Sequence, residues 1–276
     1  MRVAAGAVSV LLLALSAAVS PLAARRDPAT ALRVCADPNN LPFSNRNGEG
    51  FENRLAVLVA RDLGAKLEYT WWPQRRGFVR NTLNTGDCDV LMGVPTHLKG
   101  VDTTHAYYRS TYAFVTPRRR HLGLSSLDDP RLPRLRIGVQ LIGDDFANSP
   151  PAHALSARGM VQNIVGYSVL GDYSQPNPPA RIVEAVARGD IDVAVVWGPV
   201  AGYFASRQAI PLTVTPLPLQ SDSPALPFSF DISMAVRSGD SARRSTLNRF
   251  IATHRRDIDR LLDQYAVPRA ATKGGV

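Results

Sequence analysis

The chain has 276 residues and a formal net charge of +9 at pH 7, and 45% of its residues are hydrophobic. This composition excludes an intrinsically disordered protein, and the length allows either one large domain or two smaller lobes. The basic charge indicates either an ordinary solvated surface or attraction to an acidic protein partner. Nucleic-acid binding is not expected, because the chain lacks the basic and aromatic platform typical of it.

Residues 1–24 have the features of a secretory signal peptide. Arg2 is their only charge, an apolar stretch covers residues 8–19, and small residues continue to Ala24. The apolar stretch is too short and too rich in alanine for a transmembrane helix, and no cysteine near the cleavage region offers a lipid anchor. We therefore expect an exported protein without a membrane span in its mature form, located in the periplasm of a Gram-negative host.

The first predicted unit is a strand, a loop and a helix. Leu32–Ala36 is a short apolar strand, and Phe51–Leu63 repeats apolar residues at helical spacing before Gly64. Because open α/β sheets bind ligands beyond the carboxyl ends of their strands, the intervening loop is the first candidate for a functional surface. The residues proposed to contact a ligand there are Asp37, Asn39, Asn40 and Phe43. Asx turns explain the three polar ones equally well.

The same alternation of strand and helix continues along the chain. Further strands are predicted at 66–72, 90–92, 113–115, 136–140, 161–167, 191–196, 212–219 and 230–236. Helices are predicted at 78–83, 180–188, 199–207 and 241–264. A further helix follows the proline-rich loop after 140 and ends at 157. This order predicts an α/β protein with a largely parallel sheet.

Two stretches rich in turn-forming and charged residues divide these elements into two lobes. Lobe one is predicted to cover 30–117 and 226–268, lobe two 122–220, the hinge 118–121 and 221–225, and a tail 269–276. Bilobed proteins with two connections commonly close by a hinge motion over a central cleft.

Cys35 and Cys88 are the only cysteines of the chain. In an oxidising compartment a pair of cysteines indicates a disulfide, and both lie in segments expected to be neighbours in the sheet. Two thiols are too few for a metal site.

Two further clusters of aromatic and polar side chains are candidates for the cleft or a partner-binding face. They comprise Trp72, Gln74, Arg75 and Arg76 after the second strand, and Tyr107, Tyr108 and Arg109 before the fourth. Tryptophan and arginine are typical anchors of interfaces. The alternative is ordinary core and edge packing of the rings, with solvent-exposed arginines.

No catalytic set, metal site or cofactor site is predicted. The five histidines are scattered, and none stands in a zinc-protease or serine-hydrolase motif. Asp144 and Asp145 supply too few ligands for calcium, so a helix N-cap is the better interpretation of this pair.

Several long segments resemble type II periplasmic solute-binding proteins. They are PFSN followed by GEGFENRLAVLVARDLG, the block CDVLMGVPTHLKGVDTTHAYYRSTYAFV, and GDIDVAVVWGPVAGYFASR. More narrowly, RVCADPNNLPFSN, YTWWPQRRGFVRNTLN and YYRSTYAFV are similar to the quinoprotein-dehydrogenase-associated branch. That branch includes the MxaJ/MoxJ-like protein of methanol-dehydrogenase gene clusters. The resemblance covers nearly the whole mature chain and implies a bilobed fold with a central cleft.

The chain departs from the amino-acid-binding members of this family at three positions. Lys99 stands where those members use an arginine for the substrate carboxylate, and Trp197 or Gly198 stands where they use an aspartate for the ammonium. Asp144 and Asp145 stand where the lobe-two helix usually offers glycine and hydroxyl residues to an anion. An ordinary amino-acid receptor is therefore not expected.

The resemblance implies a non-enzymatic accessory protein for a pyrroloquinoline-quinone-dependent methanol or alcohol dehydrogenase. Its partners would be that dehydrogenase, with its cytochrome c as a second candidate and a small ligand in the cleft as a third. The alternative is a receptor of an ABC transporter for a small ligand other than an amino acid.

Overall fold

The computed structural model describes residues 31–142, 147–168, 173–219 and 226–270. The predicted signal peptide 1–24, the pair Asp144 and Asp145, the hinge segment 221–225 and most of the predicted tail lie outside these residues.

Strands and helices alternate along the described chain. The strands are β1 Ala31–Ala36, β2 Asn39–Asn40, β3 Ser44–Asn45, β4 Lys66–Trp71, β5 Val90–Pro95, β6 Asp102–Thr103, β7 Tyr108–Pro117, β8 Ile137–Ile142, β9 Ala147–Asn148, β10 Ile164–Ser168, β11 Val193–Trp197, β12 Leu212–Pro216 and β13 Ser229–Val236. The helices are α1 Phe51–Asp62, α2 Phe78–Asn81, α3 Pro150–Ala157, α4 Arg181–Arg188, α5 Gly198–Ala205, α6 Ser241–Thr253 and α7 Arg255–Gln264.

The sheet has two halves, each with three parallel strands and one antiparallel strand. In the first half the order is β4-β1-β5-β13, and in the second it is β10-β8-β11-β7. In both halves the antiparallel strand lies beside the third parallel strand, β5 or β11. The predicted α/β class is therefore confirmed, whereas the large sheet is mixed: β13 and β7 and the short strands beside them pair antiparallel, and only the three outer strands of each half are parallel.

The long strand β7 belongs to both halves. Its first residues pair with β13, where Thr111 lies opposite Ser229. From Tyr112 onward it pairs with β11, where Trp197 is its partner, and on the other edge with β12. The chain thus passes from one half to the other within a single strand. The limits of the lobes and hinge stay predictions.

Helix α1 packs its apolar face on the first half of the sheet. Phe51, Leu55 and Val59 are buried as their spacing predicts, in one core with residues of β1 and β5. Leu63 is exposed, because the helix ends at Asp62.

The C-terminal helical region is broken, whereas the sequence predicts one helix over 241–264. Helix α6 ends at Thr253, whose hydroxyl donates to the carbonyl oxygen of Arg249, and α7 begins at Arg255. The break allows α6 to pack against β13 and α7 against α1.

Cys35 and Cys88 form the predicted disulfide. Their Cα atoms are 5.5 Å apart, and both residues are buried beside Leu83 and Leu91. The bond connects β1 to the turn that precedes β5. None of the helices in the described part of the chain has the length and apolar character needed to cross a bilayer.

Candidate binding cleft

A cavity of about 410 Å³ lies between the two halves of the sheet. It is located where the carboxyl ends of β5, β8 and β11 meet, which is the usual ligand position in open α/β sheets. Its lining residues are Asn40, Phe43, Glu52, Gln74, Gly93, Val94, Pro95, Tyr108, Tyr112, Gln140, Pro179, Trp197, Val200, Phe230 and Ile232.

Trp197 is the centre of the aromatic wall of this cavity. Its ring lies edge-on to Tyr112 at 5.4 Å and to Phe230 at 5.7 Å, measured between centroids. Its backbone N–H donates to Gln140 Oε1 at 2.7 Å, which fixes the start of α5. Of Trp197 and Gly198, the pair expected to stand where amino-acid-binding members carry an acid, Trp197 is the one that lines the cavity.

The loop after β1 is shaped by the carboxylate of Asp37. Asp37 is buried, and its two oxygens accept the backbone N–H groups of Asn39 at 2.8 Å and of Gln74 at 2.6 Å. The side chain of Asn40 donates to Gln74 Oε1 at 2.9 Å, so both amides are presented together in the cavity. The turn geometry that the sequence suggests for this loop is what holds Asn40 and Gln74 in place.

The same loop is joined to the second half of the protein by a cleft bridge consisting of Asp37, Asn39, Tyr173, Gln175 and Asn177. The hydroxyl of Tyr173 donates to Asp37 at 2.7 Å, and the Asn39 amide donates to the Gln175 carbonyl at 2.8 Å. The backbone N–H of Asn177 donates to the Asn39 side chain at 3.2 Å. The bridge holds the two halves together at the cavity.

Glu52 is a lining residue that the sequence analysis does not single out. It lies in the first turn of α1 with its carboxyl against Gly93 of β5, where a methyl group on Gly93 would overlap it. Within the described chain the carboxyl has no hydrogen bond or ion pair, and burial raises its pKa to about 8. A first-turn acid usually indicates favourable contact with the helix dipole. Only the fold shows that this one faces the cleft.

Two tyrosines are also among the lining residues of the cavity. Tyr108 and Tyr112 line it, and burial raises the pKa of both phenols, so they stay neutral. Their neighbour Tyr107 lies instead in the core, where its hydroxyl donates to the carbonyl of Met92 at 2.8 Å.

Arg109 lies next to the crossing between the two halves and does not line the cavity. Its guanidinium donates to Ser229 at 2.9 Å and lies 3.6 Å from the carboxylate of Asp231, both on the neighbouring strand β13. It is buried, so this arginine is held by the sheet.

Several predicted site residues lie on the surface outside the cavity. Trp72 is 38% exposed, and Arg75, Arg76 and Lys99 are exposed as well. The structure brings together Asn40, Phe43, Gln74, Tyr108 and Trp197 of the predicted set. A role in binding stays a prediction for all of them.

The charge of the lining is unusual for a receptor of zwitterions. No lysine, arginine or histidine lines the cavity among the described residues, and Glu52 is the single acid there. In the same described part of the chain, no group of three histidine, cysteine or acidic side chains converges to hold a metal ion. The cavity thus offers aromatic faces, amides, phenols and one carboxyl.

Two α/β halves that share a crossing strand and enclose a cleft define the type II periplasmic-binding-protein fold. A family model for bacterial extracellular solute-binding proteins, family 3, matches residues 32–268, and the chain belongs to this family.

Within the family, the chain is similar to proteins named MoxJ. It is 32% identical to Protein MoxJ of Methylorubrum extorquens, over 89% of this chain and 83% of that protein. Among solved structures it is similar to the periplasmic binding protein XoxJ of Methylobacterium extorquens AM1, with 36% identity, a TM-score of 0.72 and coverage of 88% of this chain and 100% of that one. MxaJ of Methlophaga aminisulfidivorans MPT gives 26% identity and a TM-score of 0.76, over 87% of this chain and 100% of that one. The chain is therefore a MoxJ/MxaJ-like type II solute-binding protein.

Proposed function

We propose that this protein is a periplasmic accessory factor for a quinoprotein methanol or alcohol dehydrogenase. In this proposal the cleft holds a segment of the partner during assembly or activation of the dehydrogenase. The observation that carries the proposal is the uncharged, aromatic wall around Trp197, at a place where a receptor for amino acids needs an acid. The ammonium group of an amino acid would find no acid at this wall, and the one carboxyl of the described lining, Glu52, would have to ionise against its burial, so that binding would cost several kcal/mol.

The surface charge supports a protein partner. The chain carries a net charge of +9, and Arg118, Arg119 and Arg120 form an exposed turn directly after β7. Charge of one sign steers an oppositely charged partner during encounter. Because the chain is similar to MoxJ and MxaJ, we take a dehydrogenase of methanol oxidation as the first candidate partner and its cytochrome c as the second.

A pull-down from periplasmic extract tests this function. The mature protein is expected to retain a quinoprotein dehydrogenase or its cytochrome c. Two tryptophan variants separate the cleft from the outer surface, because Trp197 lines the cavity and Trp72 is 38% exposed outside it. Trp197→Ala should lose the partner while Trp72→Ala keeps it, with both variants checked for folding by circular dichroism. The opposite pattern would place the partner on the surface of β4, and capture of no dehydrogenase or cytochrome would contradict the function.

A second function, as a receptor of an ABC transporter, is favoured by the size of the cavity. A volume of about 410 Å³ suits a small organic molecule, and the cleft bridge joins the two halves beside it. A small ligand that raises the melting temperature by several degrees would support this function.

A further inference from the structure

The cleft presents polar groups that the protein itself does not satisfy. Glu52, Tyr108 and Tyr112 line the cavity, and neither the Glu52 carboxyl nor the two tyrosine hydroxyls form a hydrogen bond with another of the residues that the structure describes. Gln140 uses its side-chain oxygen for the backbone of Trp197, which leaves its amide N–H groups free to donate. Such groups are normally satisfied by a bound molecule or by water.

The surroundings of Glu52 supply no positive charge. The titratable groups that interact with it are Tyr69 on β4, Tyr108 on β7 and Tyr107 directly before β7. Each of these phenols has a raised pKa and remains neutral between pH 6 and pH 9. Strands β5, β11 and β13 contribute only uncharged residues to the cavity, and the nearby Arg54 of α1 is exposed.

We propose that the cleft takes an uncharged carbonyl group on an apolar or aromatic body, and that Glu52 binds it as a protonated hydrogen-bond donor. The apolar body would lie against Trp197 and Phe230, and Tyr108 and Tyr112 would supply further donors. The inference rests on the proposed function in so far as the cleft is the binding site. Two sources fit this chemistry, a peptide group of a partner segment and a small neutral molecule.

The other ligand charges fit the cavity less well. An anion would meet no cationic side chain in the described lining and would face a carboxyl group. A cation would require Glu52 to ionise in a site where burial opposes ionisation, and both ions would lose their hydration. With a pKa of about 8, roughly nine-tenths of the molecules carry the proton at pH 7. A neutral carboxylic acid donates to a carbonyl oxygen without that cost.

The test compares three probes that share an aromatic ring and differ in charge: benzamide, benzylammonium and benzoate. Each is titrated by NMR into the mature protein and into Glu52→Gln, a neutral variant that keeps an N–H donor. Benzamide should bind tightest at pH 7, and its affinity should fall about tenfold between pH 7 and pH 9 as Glu52 loses its proton. In Glu52→Gln the affinity at pH 7 should persist and the pH dependence should vanish.

Several results would overturn the inference. One is that benzylammonium or benzoate binds more tightly than benzamide, with an affinity for benzylammonium that rises with pH. Another is that none of the three probes binds, and a third is that a folded Glu52→Gln variant no longer binds benzamide. A direct titration of the Glu52 carboxyl by ¹³C NMR, assigned through side-chain-to-backbone correlations in the wild-type protein, should show a midpoint near pH 8. A midpoint below pH 5 would refute it even if the variant did not fold.

The source of the carbonyl is distinguished by a capped amino acid. N-acetylphenylalanine methylamide binding more tightly than benzamide identifies a peptide segment, and the reverse order identifies a small molecule. These probes leave the proposed function separately testable. If they fail while the pull-down still recovers a dehydrogenase through Trp197, the inference falls and the function stands. If the probes bind as expected while no dehydrogenase is recovered, the inference about the cleft stands and the proposed function falls.

Discussion

The half-buried carboxyl of Glu52 should make the protein less stable as the pH rises. Its pKa is about 8 in the folded chain against an ordinary value of 4.5. Below pH 4.5 both the folded and the unfolded chain hold the proton, and between pH 4.5 and pH 8 only the folded chain does. The free energy of unfolding therefore falls by about 1.4 kcal/mol per pH unit from this group, and the loss is complete above pH 8. The total is at most about 5 kcal/mol, on the assumption that the cleft does not rearrange.

Replacement by glutamine removes this proton linkage. We expect Glu52→Gln to be more stable than the wild type at pH 8.5 by about 2–5 kcal/mol and to differ far less at pH 5. Urea unfolding of both proteins at the two pH values measures the difference, and other titrating groups cancel in the comparison. Glu184→Gln is the matched control, because that side chain is 43% exposed and the change should stay within about 0.5 kcal/mol at both pH values. A wild-type advantage over Glu52→Gln at pH 8.5, or a difference that does not change with pH, would refute the reasoning.

Two further predictions concern the elements that shape the cleft. The double variant Cys35→Ser with Cys88→Ser should unfold at lower urea concentration, with a loss of about 4 kcal/mol because the disulfide joins residues 53 positions apart; an unchanged midpoint would contradict this. Tyr173→Phe removes a donor to Asp37 and should weaken the closed arrangement by about 1.5 kcal/mol. An increase in the radius of gyration measured by small-angle X-ray scattering is the expected sign, with Tyr167→Phe on the edge strand β10 as control.

The sequence predicts the features whose causes lie close together along the chain. The apolar spacing of Phe51, Leu55 and Val59 was sufficient for α1, and the two cysteines were sufficient for the disulfide. Repeated strand and helix patterns likewise indicated two α/β halves. The helix and the strands follow from local spacing, whereas the disulfide was predictable because the chain has only these two cysteines.

The features that depend on distant contacts were harder to predict. Glu52 faces the cleft because β5 brings Gly93 against it and β7 surrounds it with rings, and neither contact is visible from the helix alone. Tyr107 and Tyr108 are neighbours at the start of β7 with ring centroids 5.1 Å apart, and only the packing shows that Tyr108 lines the cavity while Tyr107 bonds to Met92 in the core. The break at His254 also follows from two packing partners rather than from a helix-breaking residue.

The measurement that tests the central claim most directly is calorimetric titration of a purified quinoprotein methanol dehydrogenase into the mature protein and into Trp197→Ala. We expect saturable binding to the wild type and at least tenfold weaker binding to the folded variant. Equal binding to both proteins would show that the cleft does not contribute to binding of the dehydrogenase. No binding to either, together with tight binding of a free amino acid, would contradict the account as a whole.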